Sequence, residues 1–177
     1  MTRTEILIGG IGGQGVVLSA ILLGAAATLF ENKKAVQTQS YSSELRGGLA
    51  RAEVIISDRP IDDPQIRRPD IFIALAKEAL PGHINRLKPG GLLIVDSDRV
   101  KDPEPGDHEL VRVPATSLAE KEMGNPIAAN LIILGVLIKK NPVVCAQSLE
   151  KAIEAIVPPK DNPLNLAAFH RGQEMDI

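Results

Sequence analysis

Between the apolar run Ile6-Leu7-Ile8 and a long apolar, helix-forming stretch stands Gly10-Ile11-Gly12-Gly13-Gln14-Gly15, an order that reads as strand, tight turn and helix. Gly10, Gly12 and Gly15 meet the G-x-G-x-x-G spacing. The first glycine allows the turn, the second lets a pyrophosphate approach the backbone, and the third lets helix and strand pack closely. The helix that follows points its free amides and the positive end of its dipole at the same spot. The segment thus has the form of a phosphate cradle. Glycines also serve strand-to-helix turns that bind nothing, and the motif alone does not separate the two.

A nicotinamide dinucleotide would call for an acidic side chain about 20 residues on, at the end of the second strand, to hold the ribose hydroxyl. That segment is Ala35-Val36-Gln37-Thr38-Gln39-Ser40; no carboxylate ends it, and Glu31 comes too early, at the close of the helix. An arginine for a phosphorylated ribose is missing there too. Aromatic residues make up only 2% of the chain, so a base or flavin finds little to stack on and a bound nucleotide must be held mainly by backbone and charge.

Strand and helix signals then alternate, which predicts an α/β fold with an open, mostly parallel sheet and helices on both faces. The expected strands are Glu5 to Ile8, Ala35 to Gln39, Ala50 to Ile56, Ile71 to Leu75, Leu92 to Val95 and Glu109 to Val113. The expected helices are Gln14 to Phe30, Lys77 to Leu87, Ala115 to Glu122, Pro126 to Lys139 and Val143 to Ile156. Residues 158–177 form a C-terminal extension, in which Asn162 and Pro163 fit the cap and first position of a terminal helix. A length of 177 residues with 44% hydrophobic content fills one domain, 1–177, and is short for two. The helix after the glycine turn and the stretch Ala128 to Ile138 are apolar almost all the way round. Such helices must be covered on every side, by the domain itself or by a partner subunit, and the reading favours the partner.

A formal charge of -2 argues against a nucleic-acid partner. The apolar stretches fall short of the ~20 residues of a membrane span, and no secretory signal precedes the first strand. A soluble, cytoplasmic protein is expected. Cys145 reads as a small buried hydrophobe within a helix, unable to supply a metal cluster alone. His83, His108 and His170 show no ligand spacing. Asp96 and Asp98 stand where ligands can bind, yet turn capping explains them equally well. Asn130, in an apolar helix, reads as a helix-packing hydrogen bond.

A second constellation, Ser40-Tyr41-Ser42-Ser43-Glu44-Leu45-Arg46-Gly47-Gly48, follows the second strand with hydroxyls, an arginine and two glycines. Ligands of open α/β sheets sit at the strands' carboxyl ends, so this loop should lie beside the first glycine turn. Arg46 has the fork to bind a phosphate or carboxylate, with Gly47 and Gly48 giving close backbone access.

The two segments together, with the Ala52 to Ser57 strand, Asp70-Ile-Phe-Ile-Ala-Leu and Asn130-Leu-Ile-Ile-Leu-Gly, resemble the gamma subunit of the 2-oxoacid:ferredoxin oxidoreductases. The family carries glycine and proline where this chain has Ser42 and Ser43. The stretch Val36 to Tyr41 looks most like 2-oxoglutarate members; pyruvate and 2-oxoisovalerate members stay open. The resemblance implies a Rossmann-like domain in a multi-subunit oxidoreductase, not catalytic alone, that turns a 2-oxoacid into its acyl-coenzyme A and reduces ferredoxin. It implies that thiamine diphosphate, magnesium and iron–sulfur clusters belong to the alpha and beta subunits, and to a ferredoxin-like delta subunit where one exists. The isolated chain could be a homodimer. This chain's implied share is subunit assembly and part of a coenzyme A site, made by Gly10, Gly12, Gly13, Gln14, Gly15, Ser40, Tyr41, Arg46, Gly47 and Gly48. Gly12 to Gly15 would hold phosphate by backbone amides and Arg46 would supply charge. Two rivals remain: a free-standing nucleotide-binding dehydrogenase, and a purely structural assembly subunit whose glycines only pack helix on strand.

Overall fold

A computed structural model describes residues 3–41 and 48–177. The glycine turn ends the first strand, β1 (Arg3–Ile11), and leads to α1 (Val16–Phe30). Then come the hairpin β2 (Lys34–Tyr41) and β3 (Leu49–Ser57), and the strands β4 (Ile71–Ala74), β5 (Gly91–Asp96) and β6 (His108–Val113). Four helices close the chain: α2 (Ala115–Met123), α3 (Ala129–Lys140), α4 (Ala146–Ile156) and α5 (Asn162–Gln173). The α/β fold with one open, mostly parallel sheet is as expected. The strand order is β2-β3-β1-β4-β5-β6, and five of the six strands run in one direction.

The exception, β3, inserts between β1 and β2 and runs antiparallel to both. Its alternation of small or apolar with charged residues follows from this position. Ala50, Ala52, Val54 and Ile56 face the helical layer, while Arg51 and Glu53 face the other way, where Glu53 pairs with Arg86 at 3.2 Å.

The two faces of the sheet are covered unequally. All five α-helices pack on one face, in a core that includes Ile6, Ile8, Leu23, Ile73, Leu134 and Phe169. On the other face the helix expected over Lys77 to Leu87 is two 3-10 turns, Lys77–Ala79 and Ile84–Arg86. Pro81 breaks the helix and Gly82, at φ +76°, reverses it. These turns and Val100 cover Leu7, Phe72, Leu93 and Val95. Their approach is close: a Cβ at Gly9 would lie 2.8 Å from that of Ala79. The connection from β5 to β6 contains Pro103 and Pro105 and forms no helix, so among the described residues α-helical cover is confined to one face.

Every residue of α3 from Ala129 to Ile138 is buried. The chain covers this helix itself, because α5 lies directly against it: a Cβ at Gly135 would sit 2.1 Å from the Phe169 carbonyl oxygen, and one at Gly172 would sit 2.0 Å from that of Ile132. The partner expected over α3 is thus α5. By contrast α1 keeps an apolar flank in solvent, with Ile21 37% and Leu29 65% exposed. Cys145 corrects another expectation. Val143 and Val144 turn inward, α4 starts only at Ala146, and Cys145 is left exposed at the cap with its amide donating to the Glu31 carboxylate. Among the described residues no helix is long and apolar enough to cross a membrane.

Candidate functional site

The chain leaves β1 through α1 toward β2 and leaves β4 in the opposite sense toward β5, so the carboxyl ends of β1 and β4 bound the crevice where ligands of open α/β sheets bind. Gln14 ties these two ends together: its Oε1 accepts from the Ile11 amide at 2.8 Å and its Nε2 donates to the Leu75 carbonyl at 3.0 Å. The Gln14 side chain is therefore a strut of the turn.

The glycines divide the work. A Cβ at Gly10 would meet Gln14 Oε1 at 2.6 Å and Val16 at 2.9 Å, so Gly10 makes room for the strut and for the helix. Gly15, at φ +73°, is the cap of α1 and lies under Asn130, whose Nδ2 would be 2.3 Å from a Cβ there. Asn130, 2% exposed, donates toward the Gly15 carbonyl at 3.4 Å and the Ser19 hydroxyl at 3.3 Å. The expected helix-packing hydrogen bond is thus present, and it locks the start of α1 onto α3. Gly13 differs from both: its φ is +93° and a Cβ there would meet no atom of the described residues within 4 Å.

Gly13 also lines a cavity of about 230 Å³ over the turn. Gly12, Gly13 and Gln14 form one side, Asp96, Arg99 and Thr116 another, and Ile127 and Asn130 a third. Two of the four amides assigned to phosphate are used within the chain, Gly12 donating to the Gly48 carbonyl at 2.9 Å and Gln14 to that of Ile11 at 3.2 Å. The helix start remains: the first amides of a helix have no intrahelical acceptor, and neither a side-chain cap nor a first-turn acid satisfies those of α1.

The second constellation is only partly at this site. Gly48 is bonded to Gly12, so the loop reaches the turn through the first residues of β3 and not through β2. Ser40 is exposed on the sheet's outer strand, paired with Arg51 on the face opposite α1, and does not line the cavity. The Tyr41 backbone pairs with Ala50. Arg46 and Gly47 lie outside the described residues.

Asp96 and Asp98 both cap, in trans. Asp96 accepts from the Thr116 hydroxyl at 2.5 Å and the Asp98 amide at 3.1 Å, and Asp98 accepts from the Ser117 amide at 2.7 Å, so the turn after β5 holds the first turn of α2. Burial pushes the Asp96 carboxyl up from its ordinary value, against the opposing pull of the Thr116 and Asp98 hydrogen bonds. Asp96, Arg99, Thr116 and Ile127 were not singled out as one site by sequence. The available signal was position alone, since Asp96 ends a parallel strand. The histidines lie apart. His83 Nδ1 is buried with no hydrogen-bond partner among the described residues, and burial, then the Arg51 and Arg86 charges, holds its ring below the ordinary histidine value.

The fold and this crevice define an α/β domain of Rossmann type, open at the switch point of its sheet. The chain belongs to the pyruvate ferredoxin/flavodoxin oxidoreductase family, whose model matches residues 5–175. It is 44% identical over 176 residues to the 2-oxoglutarate synthase subunit KorC of Methanocaldococcus jannaschii, covering 98% of this chain and 94% of the relative. Among solved structures, the keto/oxoacid ferredoxin oxidoreductase gamma subunit from Geobacter sulfurreducens matches with a TM-score of 0.86 at 37% identity, covering 97% of this chain and 96% of that one. The 2-oxoglutarate:ferredoxin oxidoreductase of Magnetococcus marinus, solved with 2-oxoglutarate, coenzyme A and succinyl-CoA bound, shares the fold with a TM-score of 0.87 at 24% identity. This chain spans 31% of its length.

Proposed function

We propose that this chain is the gamma subunit of a 2-oxoglutarate:ferredoxin oxidoreductase and that the cavity over its glycine turn takes part in binding coenzyme A. The observation that carries the reading is the open Gly13 beside an uncapped helix start at the sheet's switch point. Such a site suits a ligand gripped by its phosphates. Coenzyme A brings a pyrophosphate and a ribose 3′-phosphate. A carboxylate at the end of β2, where a nicotinamide enzyme needs one, would repel that 3′-phosphate, and the segment has none. The near full-length match to a 2-oxoglutarate synthase subunit supports the choice of oxoacid.

Among the described residues no group of three or more His, Cys, Asp or Glu side chains is placed to hold a metal ion. On the family resemblance we assign thiamine diphosphate, magnesium and iron–sulfur clusters to partner subunits, place the enzyme in the cytoplasm, and assign no step of oxoacid chemistry to this chain. The exposed flank of α1 around Ile21 and Leu29 is the proposed contact with those subunits.

The test is to isolate the chain anaerobically from its own cells and assay what accompanies it. The proposal expects companion subunits and a ferredoxin reduction that needs both 2-oxoglutarate and coenzyme A. Recovery of the chain alone, without that activity, contradicts it.

A further inference from the structure

We propose that Arg99 is the cation that pairs with a ligand phosphate in the cavity over the glycine turn. The inference rests on the coenzyme A reading above and adds to it the residue that supplies positive charge.

Arg99 is exposed in the turn that follows β5 and lines the same cavity as Gly12 and Gly13. It is the one cation among the described residues lining that space, and its guanidinium makes no ion pair or hydrogen bond with any described residue. Arg3, Arg86 and Arg171, by comparison, are each paired with a glutamate. The two acids of the same turn do not compete for it. Asp96 is 1% exposed and bonded to Thr116, and Asp98 is taken by the Ser117 amide, so both carboxylates face α2.

The base of the side chain is fixed while its tip is open. The Arg99 amide donates to the Asp96 carbonyl at 3.0 Å, and the next residue, Val100, donates to the same oxygen at 2.8 Å while its side chain is buried in the second core. A guanidinium fork lining the same cavity as the glycine turn can bind phosphate oxygens bidentately and add charge to what the helix start offers. The cavity, about 230 Å³, is smaller than sites that enclose a whole drug-sized ligand. It suits a phosphate-bearing end group with the rest of the molecule outside.

The test measures KM and kcat for coenzyme A and for 3′-dephospho-coenzyme A in the assembled enzyme, carrying R99Q, R99K or Gly13→Ala in this chain. R68Q, a lost charge at an exposed position just before the amino end of β4 and outside the cavity lining, is the control. The expected result is a rise of roughly 10–100-fold in the KM for coenzyme A with R99Q, as for a lost charge-assisted pair, and a smaller rise with R99K, which keeps the charge without the fork. The KM for 2-oxoglutarate should not rise with it. An effect on coenzyme A but not on its dephospho form assigns Arg99 to the 3′-phosphate; an equal effect on both assigns it to the pyrophosphate. An unchanged KM in R99Q alongside a raised one in Gly13→Ala overturns the role of Arg99 alone. Unchanged values in both variants overturn the coenzyme A reading itself. A rise with R68Q equal to that with R99Q, or parallel rises for both substrates, also overturns the assignment, since those are effects of net charge or assembly.

Discussion

The Asn130 side chain closes over Gly15 so tightly that a Cβ on the glycine would fall 2.3 Å from its amide nitrogen. The contact joins residues 115 positions apart and fixes the first turn of α1 against α3. It anchors the end of the glycine turn to α3 through the Gly15 carbonyl and the Ser19 hydroxyl.

Gly15→Ala is therefore expected to lower stability by about 2–4 kcal/mol, combining left-handed strain with overpacking. The overpacking part belongs to Asn130. In an Asn130→Ala background the same change should cost only about 1–2 kcal/mol, the strain alone. A double-mutant cycle by denaturant unfolding measures the difference; equal costs in the two backgrounds would show that the contact carries no energy.

The glycine turn was readable because three of its glycines answer to local demands: a positive φ at Gly13 and Gly15, and crowding by Gln14 and Val16 at Gly10. At Gly13 and Gly15 the demand is the backbone's own conformation, and at Gly10 it comes from side chains four to six residues on. The rest of the cavity was hidden for the opposite reason. Asp96, Arg99 and Asn130 each have a sufficient local account, as cap, surface charge and helix contact, and converge only because β4 lies between β1 and β5 and α3 packs against the start of α1. The insertion of β3 was hidden too, since its alternation would look the same wherever it paired. Helical cover on the second face was overestimated because the Lys77 to Leu87 segment has helix-forming residues on both sides of a Pro81-Gly82 break.

The α3–α5 contact gives a second prediction. Gly135→Ala would place a Cβ 2.1 Å from backbone that has no rotamer to yield, so the two helices must separate. A cost near the upper end of overpacking, about 3 kcal/mol, is expected, lowering Tm by roughly 6–12 °C in a domain of this size. Calorimetry that finds Tm unchanged would contradict the packing described for α5.

Asp96 gives a pH dependence with a definite sign. Its carboxyl is raised above the ordinary 3.8 by burial, so in that window the folded chain binds a proton that the unfolded chain has lost. The contribution of Asp96 to stability thus falls as pH rises from about 3.8 through the raised value. Asp96→Asn removes this titration. The stability of wild type relative to the variant should be greatest below the window and decline across it, as read from denaturant melts at a series of pH values. A difference that grows with pH would mean that the Thr116 and Asp98 hydrogen bonds outweigh burial.

The claim that matters most is that the turn itself binds coenzyme A. Gly13 tests it directly, because it lines the cavity and a Cβ there meets no atom of the described residues, with a conformational strain of about 1–3 kcal/mol as its cost to folding. The decisive measurement is the KM for coenzyme A and for 2-oxoglutarate in the assembled enzyme carrying Gly13→Ala. The account predicts a rise of at least about tenfold for coenzyme A, the equivalent of one lost charge-assisted contact, with the value for 2-oxoglutarate unmoved. An unchanged coenzyme A value in a fully assembled enzyme, or an equal rise for both substrates, would contradict it and leave the turn as a joint between strand and helix.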